Sequence, residues 1–423
     1  MELGSKLSIK NAMPIKSCRA CHAEKMLDVL SLGDQHVSDF VTAAGDSPIA
    51  PLNLVRCAAC GLVQLSTTFP RELLYRQYWY RSGISSSMKM ALEDIVSKAC
   101  DIAAPIAGDL VIDIGCNDGT LLASYKKSGL QRVGFEPAKN LVADARKVSD
   151  YVFNDFFSHH VFTNKYDGAK AKIITSIAMF YDLDDPNTFV SDVAKCLDSS
   201  GIWVIQQNYL PAMLSNNGFD NIGHEHLTYY SLGTLKQLLN DHGLEVFDVE
   251  TNDVNGGSFR TYIAHRSRFS TRKSVQIMEQ EENRLFSRQP SIYTTFAQNI
   301  RTIKSSLTKF IKDHVDAGET VYVYGASTRG NTILQYCGLD HELIRKATDA
   351  NPEKWGRRTP GTLIPIISKD DARKDNPDYF LILPHHFLEE IKREEEAYLR
   401  AGGKFIVPLP EPRIVTQEGT QSL

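Results

Sequence analysis

DLVIDIGCNDGTLLASYKKSG, residues 109–129, decides the fold of this chain. Its first third is a short apolar run that reads as a buried strand. CNDG then reads as a tight turn, and the remainder as a helix. QRVGFEP, residues 131–137, is a second strand, and strand-like runs recur over 150–153, 172–176 and 201–207. Strands alternating with helical stretches predict a doubly wound α/β sheet. The turn itself, Asp113-Ile-Gly115-Cys-Asn117-Asp118-Gly119, carries the ligand argument. Gly115 and Gly119 let backbone approach a ligand closely, and Asn117 tolerates the left-handed conformation. Glu136 closes the second strand, where a carboxylate accepts hydrogen bonds from ribose hydroxyls. Charge then separates the two ribose-bearing ligands. A dinucleotide would set a pyrophosphate against Asp113 and Asp118, anion facing anion. S-adenosylmethionine carries a cationic ammonium and sulfonium instead, so it is the expected ligand. Asp155 and Phe156, just after the third strand, are expected to hold its adenine by a hydrogen bond and by stacking.

Ahead of this segment lie two Cys-x-x-Cys pairs, Cys18/Cys21 and Cys57/Cys60. Four thiolates suit tetrahedral zinc, and four ligands leave no open position, so a structural zinc is expected. Gly61 follows the second pair and permits a positive φ. The long spacer between the pairs implies an inserted hairpin or loop. Residues 1–75 therefore read as a zinc-binding module and 76–265 as the domain that binds S-adenosylmethionine.

Residues 266–315 read as a helical connector with one apolar face, formed by Phe296, Ile300, Ile303, Leu307, Phe310 and Ile311. Residues 316–410 repeat the strand–turn–helix pattern and read as a second Rossmann-like domain. Its turn, Gly325-Ala-Ser327-Thr328-Arg329-Gly330-Asn331, has hydroxyls, one Arg and no acid. That chemistry suits a phosphate at a helix N-terminus, so Ser327, Arg329 and Asn331 are candidate ligands for the diphosphate of a nucleotide-linked substrate. Residues 411–423 read as a loose tail.

The densest ionisable cluster is His224-Glu225-His226. A His is neutral near pH 7 and can accept a proton, and a neighbouring carboxylate stabilises the imidazolium that results. The composition excludes other classes. The 423 residues fill two or three domains, and 47 Lys plus Arg against 51 Asp plus Glu leave no basic surplus for nucleic acid. No apolar run reaches the roughly 18–20 residues of a membrane helix. MELGSKLSIKNAMP lacks the apolar stretch of a secretory signal, so a cytoplasmic protein, without nucleic-acid or membrane partners, is expected.

These motifs together resemble the sugar C-methyltransferases that act on nucleotide-linked 4-keto-deoxyhexoses. The resemblance runs over about residues 15–408. It is carried by the two Cys pairs, the Tyr-x-Tyr-x-Ser string at residues 78–82, IDIGCNDG, FDNIGHEHLTYYS, the Gly256-Gly257-Ser258 turn and YGASTRGN. It implies a class I methyltransferase domain flanked by a zinc module and a C-terminal Rossmann-like domain. It implies His226 as general base with Glu225 beside it, His224 close by, and Tyr78 or Tyr80 lining the sugar site. Asn255 stands before the Gly-Gly turn and is expected to contact substrate. The expected reaction is methylation of the carbon beside the ketone, C3, by a monomer. A sugar O-methyltransferase or a nucleotide-binding oxidoreductase or non-catalytic protein are the alternative readings.

Overall fold

The computed structural model describes residues 12–37, 40–42, 47–76 and 78–423. The first eleven residues, over which no secretory signal is expected, lie outside these.

The central sheet has seven strands. In spatial order they are Leu244–Asn252, Ser258–His265, Leu197–Asn208, Ala171–Ile177, Leu110–Ile114, Gln131–Phe135 and Tyr151–Phe153. The last five run parallel, whereas Ser258–His265 is antiparallel to both its neighbours. This is the class I methyltransferase arrangement that the resemblance implies. Leu110–Ile114 is the central one of the five parallel strands, with all five residues buried. Helices cover both faces of a parallel sheet, which is why this strand reads as a continuous apolar run rather than an alternating one. One covering helix is Ser86–Ala103. The Ser85 side chain caps its start, and it sets Leu92, Ile95, Val96, Ala99 and Ala103 against Val111, Ile173 and Val204 of the sheet. The helix after the CNDG turn is shorter than its sequence suggests, spanning only Thr120–Ala123. The Ser124 hydroxyl there bonds back to the Thr120 carbonyl at 3.1 Å, competing with helix propagation.

The long spacer between the Cys pairs is a hairpin, Met26–His36 against Ile49–Cys57. Val63–Leu65 extends this antiparallel sheet, and its fourth strand is Thr228–Tyr229, from far along the chain. The zinc module and the second domain thus share a sheet, through the strand that follows His226 directly.

The C-terminal sheet places Val321–Tyr324 between Lys346–Thr348 and Tyr379–Ile382, all parallel, with Ile366–Ile367 and Lys404–Val407 outside them. The expected loose tail is ordered as strands. Arg413–Val415 and Thr420–Ser422 add antiparallel to the sheet edge, where the apolar run Phe405-Ile406-Val407 leaves backbone groups to be paired. The connector is two helices, Lys273–Phe286 and Ile292–Asp316. Phe296, Ile300, Ile303, Leu307 and Ile311 are buried, and Phe310 is partly so. They pack with Leu30, Leu52 and Leu54 of the first sheet and with Val321, Val323 and Leu381 of the last. Each such side chain contributes about 1.5–3 kcal/mol on burial. The connector is therefore one wall of a core shared by the first and last domains. No helix among the described residues is long and apolar enough to cross a membrane.

Candidate active site

A cavity of about 870 Å³ opens at the C-terminal ends of the central strands. Every domain reaches it. The 68–80 segment, the 113–117 turn, the 177–185 loop, the 225–227 loop, Asn255 and the 327–329 turn all line it. Ligands of open α/β sheets bind at this end of the strands.

At one end stand the residues expected to hold S-adenosylmethionine. Gly115 and Gly119 have φ of 74° and 83°, and Asn117 is left-handed at 53°. A Cβ on Gly119 would lie 2.6 Å from Val148 Cγ2 and 2.8 Å from Ala145 Cα, so the position admits only glycine. The Asn117 N–H donates to Glu136 at 2.8 Å, and Ala138 N–H donates to the other Glu136 oxygen at 2.8 Å. Two amides thus fix the carboxylate at the end of its strand with lone pairs still free. Asp113 accepts from the Thr175 hydroxyl at 2.6 Å. Burial pushes Asp113 and Glu136 up to about 7 each. Asp118, counted with Asp113 in the charge argument, turns elsewhere. It accepts from Gly83 N–H at 2.8 Å and the Thr120 hydroxyl at 2.6 Å. The acidity of the site therefore comes from Asp113 and Glu136. Phe156 lies under the Arg71 and Arg76 guanidinium groups, 4.2 and 5.0 Å from its centroid, and Asp155 pairs with Arg76 at 3.6 Å. Both residues line the cavity. Glu136→Ala is expected to weaken S-adenosylmethionine binding by about 1–3 kcal/mol, read by calorimetry. Unchanged affinity would move the ribose contact elsewhere.

At the other end is His226. Its Nδ1 lies 2.6 Å from the Asn221 carbonyl oxygen. A carbonyl only accepts, so Nδ1 carries the proton and Nε2 keeps its lone pair. Nε2 is 3.7 Å from a Glu225 oxygen, and the ring stands edge-on to Tyr181 at 4.6 Å between centroids. Burial pushes His226 down to about 4 and Glu225 up to about 7. Tyr78 and Tyr80 line the same cavity, Tyr80 half-exposed at its rim. Asn117 ties this string to the cofactor turn by donating to the Tyr80 carbonyl at 3.0 Å.

Three sequence expectations need correction. His224 faces away from the cavity. Its Nε2 donates to the Ala50 carbonyl of the first sheet at 3.0 Å, because residues 224 and 225 form a turn, closed by the His226 N–H on the Gly223 carbonyl at 3.0 Å, that sends the two rings different ways. Asn331 is buried beneath its turn, and neither its Oδ1 nor its Nδ2 has a partner among the described residues. Arg329 lines the cavity, but its charge is already matched. It donates from Nε and Nη2 to Asp220 Oδ2 at 3.0 and 2.6 Å, and from Nη1 to the Asn255 carbonyl at 2.8 Å. Asp220, buried beside that guanidinium and His385, is held well below the usual carboxylate range. Ser327 caps the helix Thr328–Cys337 by accepting from Gly330 N–H at 2.9 Å, and it lines the cavity. Asn255 is left-handed at φ 55° and also faces it. Arg329→Ala would strand Asp220, whose Oδ1 already has no partner. It is expected to cost about 3–5 kcal/mol of stability, read as a fall in Tm, because one buried charge is left without its counter-ion.

Several lining residues were not expected at the site from the sequence: Tyr75, whose aromatic string reads equally as interface packing, and Tyr181, Asp182, Asn208 and His386. The only signal for Asp182 was its place after a predicted strand. Tyr75 donates to the Glu225 carbonyl at 2.9 Å, and Asn208 donates to the Asn221 side chain at 2.7 Å.

The four cysteine sulfurs lie within 4.8 Å of one another, and none is in a disulfide. Cys18 Sγ is 3.6 Å from Cys60 Sγ, and Cys21 Sγ is 3.5 Å from Cys57 Sγ. Each pair ends on a residue of positive φ, His22 at 60° and Gly61 at 82°, whose N–H returns to the carbonyl of the first cysteine. A soft, tetrahedral-sized sulfur cage of this kind fits zinc. Arg19, buried between the first two cysteines, bonds Gln64, the Leu65 carbonyl and the Thr68 hydroxyl, and pairs with Asp184 at 3.2 Å. The cage is thereby fastened to the loop that carries Tyr181 and Asp182.

Comparison with known proteins agrees with this geometry. Residues 18–75 match the family described as "Putative zinc binding domain", 87–249 the "Methyltransferase domain" and 253–410 the "C-methyltransferase C-terminal domain". The C-methyltransferase NovU of Streptomyces niveus is 33% identical over 416 residues, covering 96% of this chain and 98% of the relative. Among solved structures, an S-adenosylmethionine-dependent methyltransferase from Clostridium acetobutylicum overlaps 43% of this chain and 93% of its own, at 12% identity and a TM-score of 0.33. Magnesium protoporphyrin IX methyltransferase from Synechocystis overlaps 42% and 79%, at 12% identity and a TM-score of 0.32. With the full-length relative and all three domains matched, the chain belongs to the S-adenosylmethionine-dependent C-methyltransferases that carry a zinc-binding N-terminal domain.

Proposed function

We propose that this C-methyltransferase acts on a nucleotide-linked 4-keto-deoxyhexose and methylates the carbon beside the ketone, C3. The carrying observation is His226, whose Nδ1 is committed to the Asn221 carbonyl while the ring faces a cavity shared with the cofactor residues. A C–H bond beside a ketone is acidic enough to break only if a base lies within reach and the enolate is stabilised. His226 Nε2 takes the proton, and Glu225 at 3.7 Å stabilises the imidazolium. S-adenosylmethionine, held by Asp113, Asn117 and Glu136, supplies an electrophilic methyl group. Asn221, Asn208 and Tyr75 keep the base loop in place, and the aromatic wall of Tyr75, Tyr78 and Tyr181 excludes water. The 327–329 turn reaches in from the C-terminal domain, where the helix N-terminus suits the diphosphate. Holding both substrates from opposite domains supplies the proximity term.

The pH dependence follows from the two raised and lowered groups. Glu225 must be ionised to stabilise the imidazolium, and its value is about 7. Turnover with saturating substrates is expected to fall as pH drops below about 7, and again toward about 4 as His226 takes up a proton. Glu225→Gln should abolish the first limb only. The reaction itself is tested with a panel of nucleotide-linked 4-keto sugars and NMR of the product. A new methyl on carbon beside the ketone is expected, and a methyl on oxygen would overturn the reading.

A further inference from the structure

The carboxyl of Asp182 has no part in the steps above. It ends the single turn Phe180–Asp182, which follows the central strand Ala171–Ile177. That turn is tied to the base loop, since the Thr228 hydroxyl donates to the Tyr181 carbonyl at 3.1 Å and Tyr181 abuts the His226 ring. Asp182 lines the cavity together with Tyr75, Tyr78, Glu225 and His226. Its Oδ1 is shut off from solvent and has no hydrogen-bond partner among the described residues. A buried polar atom left in this way costs free energy, and the residue itself is only partly buried and faces the cavity, where a ligand can meet its carboxyl. The titratable groups that act on it or feel it are Glu225 of the base loop, Tyr75 and Tyr78 of the 71–80 segment, its neighbour Tyr181, and Tyr229. None of these is a cation. Burial, with Glu225 next in effect, pushes the Asp182 carboxyl well above the usual carboxylate range and outweighs the nearby Tyr75 hydroxyl, which favours the anion. A carboxyl kept neutral is an O–H donor.

An enolate oxygen needs donors, and the base loop offers few. Nε2 of His226 is an acceptor, and the Tyr75 hydroxyl is already given to the Glu225 carbonyl. We propose that Asp182 is a further catalytic residue, donating its carboxyl O–H to the ketone oxygen of the substrate and stabilising the negative charge that develops there. The inference rests on the enolate reading given under Proposed function. The proton beside the ketone moves to His226 Nε2, and its bonding pair becomes the enolate. That pair then forms the new carbon–carbon bond as the methyl donor's carbon–sulfur bond breaks, with the leaving pair kept on sulfur. The Asp182 proton stays on Asp182 throughout.

The test uses the full-length, zinc-loaded enzyme with a nucleotide-linked 4-keto sugar, and follows two rates. One is methyl transfer. The other is deuterium uptake beside the ketone in deuterated water with S-adenosylhomocysteine bound. Asp182→Ala should lower both by about 10²–10³-fold, as expected for loss of one donor to a developing oxyanion. Asp182→Asn, whose amide N–H can still donate, should stay within about tenfold of wild type. The wild-type rates should decline at alkaline pH as the carboxyl ionises, and Asp182→Asn should lack that decline. Calorimetric binding of S-adenosylhomocysteine reports whether each variant is folded, and if Asp182→Ala is not, the Asn variant decides. Wild-type exchange with an unaffected Asp182→Ala enzyme overturns this inference alone, as does an Asp182→Asn rate as low as that of a folded Ala variant. A wild-type enzyme that methylates oxygen and takes up no deuterium overturns the enolate reading, and this inference with it.

Discussion

His226→Ala lowers turnover by about 10²–10⁴-fold, the usual worth of a positioned general base, while both substrates still bind. The ring is held by one backbone hydrogen bond, from Nδ1–H to the Asn221 carbonyl at 2.6 Å, so its removal disturbs little else. Because the lost role is proton transfer in the transition state, kcat and kcat/KM should fall together. Deuterium uptake beside the ketone should vanish with it. His224→Ala acts differently. That ring reaches the Ala50 carbonyl and not the cavity, so stability should fall while deuterium uptake by the folded enzyme persists. Stopped-turnover assays and NMR exchange on the two variants distinguish base from brace. A His226→Ala enzyme with near-normal turnover would remove the residue from the chemistry.

Loss of zinc has the other large effect, and it reaches the active site through a strand. Cys60 is followed almost at once by Val63–Leu65, which pairs with Thr228–Tyr229, just beyond His226. Arg19, between Cys18 and Cys21, is bonded to the same strand and to Asp184. Structural zinc sites contribute on the order of 10–16 kcal/mol in small zinc domains. Cys57→Ser or strong chelation is therefore expected to lower Tm sharply and to loosen the base loop before it affects cofactor binding. Elemental analysis should find about one zinc per chain in folded protein. Thermal denaturation with and without chelator, beside calorimetry of the cofactor, checks the order of events. Folded, zinc-free protein with unaltered Tm would sink the assignment.

Much of the site was legible in the chain because it is local. A tight turn between a buried strand and a helix must place Gly115, Asn117 and Gly119 as it does, and Glu136 falls at the end of the next strand by the arithmetic of a parallel sheet. Two residues between thiols bring each Cys pair to one ion, whatever surrounds them. The connector's apolar face was fixed by its period, and it is buried at Phe296, Ile300, Ile303, Leu307 and Ile311. Tertiary structure alone decided the rest. As side-chain types residues 224 and 226 are alike, and only the resemblance singled out His226; that one ring meets Ala50 and the other the cavity follows from the turn at 224–225 and from the pairing of the next strand with the first sheet. Arg329 carries a free-looking charge in its turn, but Asp220, from a different domain, neutralises it at 2.6 Å. Asp182 has only a strand end to mark it in the sequence, and its orphaned oxygen exists only once the segment that carries Tyr75 and the loop that carries Glu225 pack against it. Backbone geometry and ligand spacing act over a few residues and are written in the chain. Burial, charge pairing and the desolvation that perturbs a titratable group depend on what folds back from far away, so they appear only when the domains are assembled.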